Sequence, residues 1–172
     1  MAFYSYNISG EVTQELLAAG DNAKVSKISL TNIQKVSKCK VDLYIEKKLT
    51  GKFYLLKGVE LPIGATLVYD NIKFSNATNG YGLYIKLTDG ATFTLTGTID
   101  PTGTNTTVPG SGTAFLSELS IGDEILVTGE TRTINAITSN TAATVSLAWG
   151  SDLASDSTPD CNPKALVDVI IN

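Results

Sequence analysis

The first half of the chain alternates apolar and polar residues along several short stretches, and this alternation predicts β-strands. The ranges 41–46 and 83–88 place an apolar residue at every second position, as expected of strands with one face in a core. Turn residues such as Leu61-Pro62-Ile63-Gly64 separate these stretches. We assign no element to 11–19, the one place where a helix competes, because the stretch is short and contains threonine. The further strands predicted by the same pattern span 3–8, 27–32, 53–56, 59–61, 66–69 and 93–95.

The texture of the sequence changes at Thr96. From there to Pro163 the chain is rich in Thr, Ser, Gly and Asn, and its apolar runs are shorter. The pattern favours a small β-barrel of about five strands. The range 151–163 contains two prolines and lacks a regular period, so it is predicted to be a linker. The strands predicted in this part span 105–108, 124–127, 131–137 and 143–149.

The last residues, 165–171, form a strongly β-branched strand that has to be paired and covered. We expect it to pair with the first sheet, beside the strand that ends near Leu95, so that the acidic part is an insertion in a hairpin loop. The predicted fold is therefore an all-β, antiparallel β-sandwich made of residues 1–95 and 164–172. A small β-barrel-like domain, residues 96–163, is inserted before the C-terminal strand. The alternative is one continuous two-sheet domain, since all-β domains reach this length.

Charge divides the chain at the same place. Residues 1–95 carry eleven lysines against eight acidic residues, a net charge of +3, whereas residues 96–163 carry one arginine against eight acidic residues, a net charge of −7. The total of −4 for 172 residues conceals this step. A step in charge and composition is typical of two independently evolved segments.

The sequence offers little material for catalysis. It contains no histidine, the commonest general base and a frequent metal ligand, so we predict that the protein is not an enzyme. We predict no catalytic, cofactor-binding or metal-binding residue, and no cofactor. The N-terminal residues lack a signal peptide, so Cys39 and Cys161 are expected to be free thiols in a protein made in the cytoplasm. Cys39 lies between two lysines, which permits a reactive thiolate, but its strand position favours a small core residue.

Three other features have a functional and a structural interpretation. Asp152, Asp156 and Asp160 are spaced too widely for a calcium loop, and Gly110-Ser111-Gly112 is a turn without the lysine of a phosphate-binding loop. The lysines of the first part, together with its tyrosines, are consistent with a nucleic-acid surface. A net charge of +3 is a weak electrostatic footprint, so we favour sheet packing and edge protection. The tyrosines concerned are Tyr4, Tyr6, Tyr44, Tyr54, Tyr69, Tyr81 and Tyr84.

Several motifs carry a resemblance to a known family. In the first part they are Lys27–Asn32, Val41–Ile45, Tyr54–Leu67 and the terminal Val167–Ile171. With a Thr-Asn strand end, a Pro-Ile-Gly hairpin and a final Val-Asp-Val strand, the chain resembles small virion structural proteins of tailed bacteriophages. The inserted part is similar to a small β-domain that recurs in phage tail and baseplate proteins. The residues that carry this second likeness are Val108, Gly110–Phe115, Leu119–Ile125 and Arg132–Ile137.

The resemblance implies a structural role in a virus particle. We expect a non-enzymatic virion protein, a capsid decoration or a neck or tail accessory subunit, which contacts other virion proteins and forms a homo-oligomer, with no direct contact to nucleic acid or membrane. The alternative is a module that projects from the virion and binds a host-surface glycan or protein, with Trp149 or the 152–160 loop at the contact. If the lysine-rich part docks on an acidic capsid or tail surface, high salt should release the protein from particles.

Overall fold

The computed structural model describes residues 3–77, 80–153 and 159–172. Nearly all the regular structure is antiparallel β-sheet, which confirms the all-β prediction. The helix found within the described ranges, α1, is a single turn at Phe115–Glu118. The strands are β1 (Tyr4–Ser9), β2 (Thr13–Leu17), β3 (Lys24–Asn32), β4 (Cys39–Lys47), β5 (Gly51–Leu61), β6 (Thr66–Ser75), β7 (Gly82–Thr88), β8 (Phe93–Thr94), β9 (Thr98–Ile99), β10 (Thr107–Ser111), β11 (Glu124–Val127), β12 (Glu130–Ser139), β13 (Ala142–Val145), β14 (Asp160–Asn162) and β15 (Leu166–Ile171).

The chain divides into two compact units. The first unit contains Met1–Gln34, Lys38–Asp89 and Ala165–Asn172, and the second contains Lys35–Ser37 and Gly90–Lys164. Each unit has a separate hydrophobic core.

The first unit is a sandwich of two four-stranded antiparallel sheets. The front sheet has the order β1-β15-β3-β6, and the back sheet has the order β2-β7-β4-β5. Alternate residues of the central strands point inward and are almost fully buried, for example Val167 and Val169 of β15 and Leu83 and Ile85 of β7. The period-two pattern of the sequence therefore produces the inner faces of both sheets.

The second unit is built on one seven-stranded sheet with the order β8-β14-β11-β12-β13-β10-β9. Phe115, Ile125, Trp149 and Cys161 are among its buried residues. In the described part of the chain no pairing joins β8 to β9, so the barrel-like closure predicted for this part is not confirmed.

The C-terminal strand lies in a different place from the one predicted. Strand β15 pairs with β1 on one side and β3 on the other, and not beside a strand that ends near Leu95. Its inward residues Val167, Val169 and Ile171 are fully buried, and a central position in the sheet covers such a strand on both edges. Strand β7 belongs to the back sheet and β15 to the front sheet. The segment between them therefore lies in a connection that crosses from one sheet to the other, and not in a hairpin loop.

Three further assignments differ from the sequence-based prediction. Residues 93–95, expected in the first domain, contribute β8 to the seven-stranded sheet and Leu95 to its core. Part of the predicted linker is strand β14, which pairs with β8 and β11. The unassigned stretch 11–19 contains β2, an edge strand of the back sheet. These strands are too short to show a period in the sequence, and their partners are distant in the chain.

A buried asparagine explains why the Thr-Asn strand end and the Pro-Ile-Gly hairpin occur together. The side chain of Asn32 is fully buried, donates a 2.9 Å hydrogen bond to the Leu61 carbonyl and accepts one from the Gln34 amide. Its carbonyl accepts a bond from Gly64, whose φ of 67° suits glycine. Asn32 therefore holds the turn between β5 and β6 in place.

Candidate interaction surface

The outer face of the back sheet carries a row of tyrosines. Tyr84, Tyr44 and Tyr54 are direct cross-strand neighbours on β7, β4 and β5. The ring centroids of Tyr44 and Tyr84 are 5.6 Å apart and the rings are stacked, and those of Tyr44 and Tyr54 are 5.5 Å apart. Tyr44 is only 2% exposed although it lies on the outer face, because the neighbouring side chains cover it. The row is a small aromatic cluster whose central ring is closed to a ligand.

Charged residues on the back sheet neutralise one another across the strands. Lys38 lies 2.9 Å from Glu60, and Lys52 lies 3.6 Å from Glu46. The hydrogen bond from Lys38 lowers the pKa of Glu60 below its ordinary value. Asp42 accepts a 2.6 Å hydrogen bond from the Gly58 amide. This mixed arrangement is unlike the single-sign surface that binds a nucleic-acid backbone.

Two lysines also cover ring faces. The Nζ atom of Lys52 is 4.7 Å from the centroid of Tyr44, and that of Lys57 is 4.4 Å from the centroid of Tyr54. These cation–π contacts occupy the aromatic surface that a base would need for stacking. Of the remaining tyrosines, Tyr4, Tyr6 and Tyr69 pack against the sandwich core, and Tyr81 contacts Phe53 edge to face. The geometry therefore favours the structural interpretation of the lysines and tyrosines.

The outer face of the front sheet has two adjoining cross-strand rows with a single charged side chain, and the next row of the same face pairs the exposed Lys27 with Asp70. One row is Ser5, Ile170, Ser29 and Val68, and the other is Asn7, Asp168, Thr31 and Thr66. We call these eight residues the low-charge face. Its one acid, Asp168, accepts a 2.7 Å hydrogen bond from the Asn7 amide group, and the Thr31 and Thr66 hydroxyls are 2.9 Å apart. Val68, on the edge strand β6, is 47% exposed and Ile170, on the inner strand β15, is 37% exposed, so the face presents two apolar side chains among its polar ones.

Strand β1 forms one edge of this face, and among the described residues it pairs only with β15. The Gly10 amide donates to the Ala165 carbonyl, so residues of even number in β1 direct their backbone groups toward β15. By alternation, the amide and carbonyl groups of Ser5, Asn7 and Ser9 point away from the sheet. None of the residues Tyr4–Ser9 is charged and none is proline.

The other outer strands of the sandwich carry the usual protection against edge pairing. Strand β5 has two lysines, Lys52 and Lys57, and two register shifts, one of them at Gly58, which adopts a φ of 60°. Strand β6 has Asp70, Lys73 and a register shift, and β2 is five residues long and also irregular. Charges, bulges and short length are the devices that keep sheet edges from pairing with other chains. Strand β1 is six residues long, regular and uncharged.

The two cysteines are free and buried, Cys39 in the sandwich core and Cys161 in the core of the second unit. Burial raises the pKa of the Cys39 thiol to about 11, and burial also raises the pKa of Cys161 above its ordinary value. A raised pKa opposes thiolate formation, so neither residue has the properties of a reactive thiol.

Trp149 is also a core residue. It is 1% exposed, and the guanidinium carbon of Arg132 lies 5.3 Å from the centroid of its ring. Arg132 is held in turn by Glu130 at 2.5 Å and by the Ala148 carbonyl. Trp149 therefore has no exposed ring face on which a sugar can stack.

The three aspartates of 152–160 do not share a site in the described ranges. Asp152 accepts a 2.6 Å hydrogen bond from the Gly103 amide, and Asp160 accepts one from the Thr94 hydroxyl. Asp156 lies outside the described residues. Over residues 3–77, 80–153 and 159–172, no group of three His, Cys, Asp or Glu side chains gathers as a metal ion would require.

Sequence reasoning missed the low-charge face and the edge strand. The uncharged sequence Tyr-Ser-Tyr-Asn-Ile-Ser is visible in the chain, but its position at a sheet edge depends on β15, more than 150 residues away. No protein-family model, curated protein or solved structure shows significant similarity to this chain. A search of the described residues for a helix able to cross a membrane finds none.

Proposed function

We propose that this protein is a non-enzymatic structural subunit of a tailed-phage virion, a capsid decoration or a neck or tail accessory protein. It acts through contacts with other virion proteins. The observation that carries the proposal is the low-charge face with its unprotected edge β1. Depletion of charge and exposure of apolar side chains are properties of the core of a protein–protein interface.

The resemblance supports the same role. The motif residues that the structure explains hold turns and cores: Asn32 fixes the hairpin at Gly64, and Val167 and Ile171 fill the sandwich core. A structural role for these motif residues agrees with a protein that serves as a rigid module in an assembly.

The low-charge face favours one of two possible modes of docking, apolar burial over charge attraction. The sequence raised the hypothesis that the lysine-rich part docks on an acidic surface, but two of these lysines, Lys38 and Lys52, are paired with acids of the back sheet. Docking through the low-charge face depends mainly on apolar burial, which salt does not screen.

The test is made on purified particles of a tailed phage that encodes this chain. Mass spectrometry of washed particles should detect the chain, and it should stay bound in 1 M salt, where the Debye length is about 3 Å. Release in salt would favour docking through the lysines. Absence of the chain from particles at low salt would refute the proposal.

Binding of a host-surface molecule is the competing function. Trp149 cannot be the contact residue for such a molecule, since its ring is buried. A glycan array probed with the full chain tests it directly, and reproducible binding to one glycan class would favour it over a purely structural role.

A further inference from the structure

Strand β1 offers three outward pairs of backbone groups on a strand that nothing else in the described chain covers. These are the amide and carbonyl groups of Ser5, Asn7 and Ser9. Unpaired edge groups of this kind are a template for adding a strand from another chain.

The strand is complementary to itself. When two copies run antiparallel about a two-fold axis at Tyr6, Ser5 of one copy lies opposite Asn7 of the other. Both residues direct their backbone groups outward, so each such pair exchanges two hydrogen bonds. Side chains keep to the correct faces, because opposite residues in this register have the same parity.

The side chains in this register are compatible as well. On the inner side, Tyr6 meets its own equivalent, and Tyr4 meets Ile8, so aromatic and apolar groups face each other. On the outer side Ser5 meets Asn7, Ser9 lies opposite the exposed Phe3 that precedes the strand, and no charge faces a like charge. In a strand such as β5, which contains Lys52 and Lys57, the same kind of self-pairing would place lysines of one copy beside aromatic residues of the other copy.

We propose that two copies of this chain join through their β1 strands, and that the two front sheets form one continuous eight-stranded sheet. The occupant of the edge is therefore a second copy of the chain, in an isologous two-fold contact. This inference deepens the proposed function and rests on it in one respect: a virion subunit is present in many copies, so a self-complementary edge meets its partner.

The test is made on the purified full chain in solution, without any virus particle. Sedimentation at increasing concentration should show a reversible monomer–dimer equilibrium. Ser5→Pro removes an outward amide while leaving the bonds to β15 intact, because Ser5 does not donate to that strand. We expect this variant to raise the dissociation constant at least tenfold.

The matched control is Val68→Pro. By the same alternation, the Val68 amide points away from β3 at the opposite edge of the front sheet, so this proline removes an outward amide that the proposed dimer does not use. The control should dimerise like the parent chain. Equal weakening by both prolines would contradict the assignment of the interface to β1.

A second measurement does not depend on substitutions. Amide hydrogen exchange followed by NMR should show slower exchange at Ser5 and Asn7 as the dimer forms, with no change at Val68. A chain that stays monomeric at about 1 mM, or a dimer that leaves these two amides unprotected, would overturn the inference. Either result would leave the virion proposal standing, because presence in particles is measured separately.

Discussion

Single buried polar side chains hold several turns of the sandwich. Asn32 bonds to both Leu61 and Gly64 and so holds the β5–β6 turn. Asn76, also fully buried, accepts a 2.6 Å hydrogen bond from the Ala23 amide. Its own amide group donates to the Ala18 carbonyl. Such residues fix the loops because each would leave several buried backbone groups unpaired if it were removed.

Asn32→Ala should therefore destabilise the protein strongly. The change leaves the Leu61 carbonyl and the Gln34 amide without this partner, and the expected loss is about 3 kcal/mol of unfolding free energy. Thr31→Ala, the neighbouring exposed position, is the control and should cost below about 1 kcal/mol. Urea unfolding of both variants checks the difference, and similar costs would refute the role assigned to Asn32.

The two thiols should be inert in the folded protein. Cys39 is buried with a pKa raised to about 11, and Cys161 is fully buried. At pH 8 a disulfide reagent such as dithionitrobenzoate should label neither residue in native protein and both in guanidinium chloride. Rapid labelling of the native chain would show that Cys39 is a reactive thiol after all.

Tyr84 should make stability depend on pH in the alkaline range. Its hydroxyl donates a 2.7 Å hydrogen bond to Glu15, and this bond raises the pKa of Tyr84 to about 12 from an ordinary value of 10. The folded state holds this proton more tightly than the unfolded state. The stabilisation is therefore complete below pH 10 and is lost as the pH rises through 12.

Urea midpoints measured from pH 9 to pH 12 test this titration. The parent chain should lose stability across the window relative to Tyr84→Phe, which keeps the ring and lacks the hydroxyl. Glu15→Gln removes the carboxylate that accepts the hydrogen bond. The pH-dependent difference in urea midpoint between Glu15→Gln and the double variant Tyr84→Phe/Glu15→Gln should therefore be smaller than the difference between the parent chain and Tyr84→Phe. An unchanged difference would mean that Glu15 does not hold the proton.

At the scale of elements, the tyrosine row stabilises the back sheet from its outer face. Tyr44→Ala should cost about 3 to 5 kcal/mol, the range for a buried aromatic residue, because Tyr44 is 2% exposed and packs against rings on both sides. Tyr54→Ala, at 43% exposure, should cost about 1 kcal/mol. Comparable losses would show that the two rings do not differ in burial in solution.

The sequence predicts elements better than it predicts their partners. Strands such as β4 and β7 are evident from the alternation of 41–46 and 83–88, because one face of each is in the core. Strand β14 has only three residues between Pro159 and Pro163, and no period is visible in it. The position of β15 between β1 and β3 depends on contacts that local patterns do not encode, and so does the exposed edge of β1.

At the scale of the whole molecule, Gly90–Lys164, the longer of the two segments of the second unit, is joined to the sandwich at Asp89 and Ala165. The Asp89 side chain accepts a 2.8 Å hydrogen bond from the Ala165 amide, so the two ends of the first unit lie together. The two ends of the second unit are also paired, since Phe93 lies opposite Cys161. Each unit therefore has the closed ends that an insertion requires.

Removal of 90–164 should leave a folded sandwich. We expect a chain in which Asp89 and Ala165 are joined by a linker of about four Gly and Ser residues to keep its β-sheet circular dichroism and a cooperative unfolding transition. The reciprocal fragment 90–164 should do the same. An unfolded sandwich fragment would show that the two parts are one folding unit, as in the continuous-domain alternative.

In the proposed virion role, the protein contacts of this chain lie on the low-charge face and its β1 edge. Cryo-electron microscopy of the particle that encodes it tests this most directly. We expect density for the sandwich on the head, neck or tail, with Ser5 and Asn7 paired to a second copy along β1 and with Val68 and Ile170 turned toward a neighbouring protein. Particles that contain the chain with this face in open solvent, or particles that lack the chain, would contradict it.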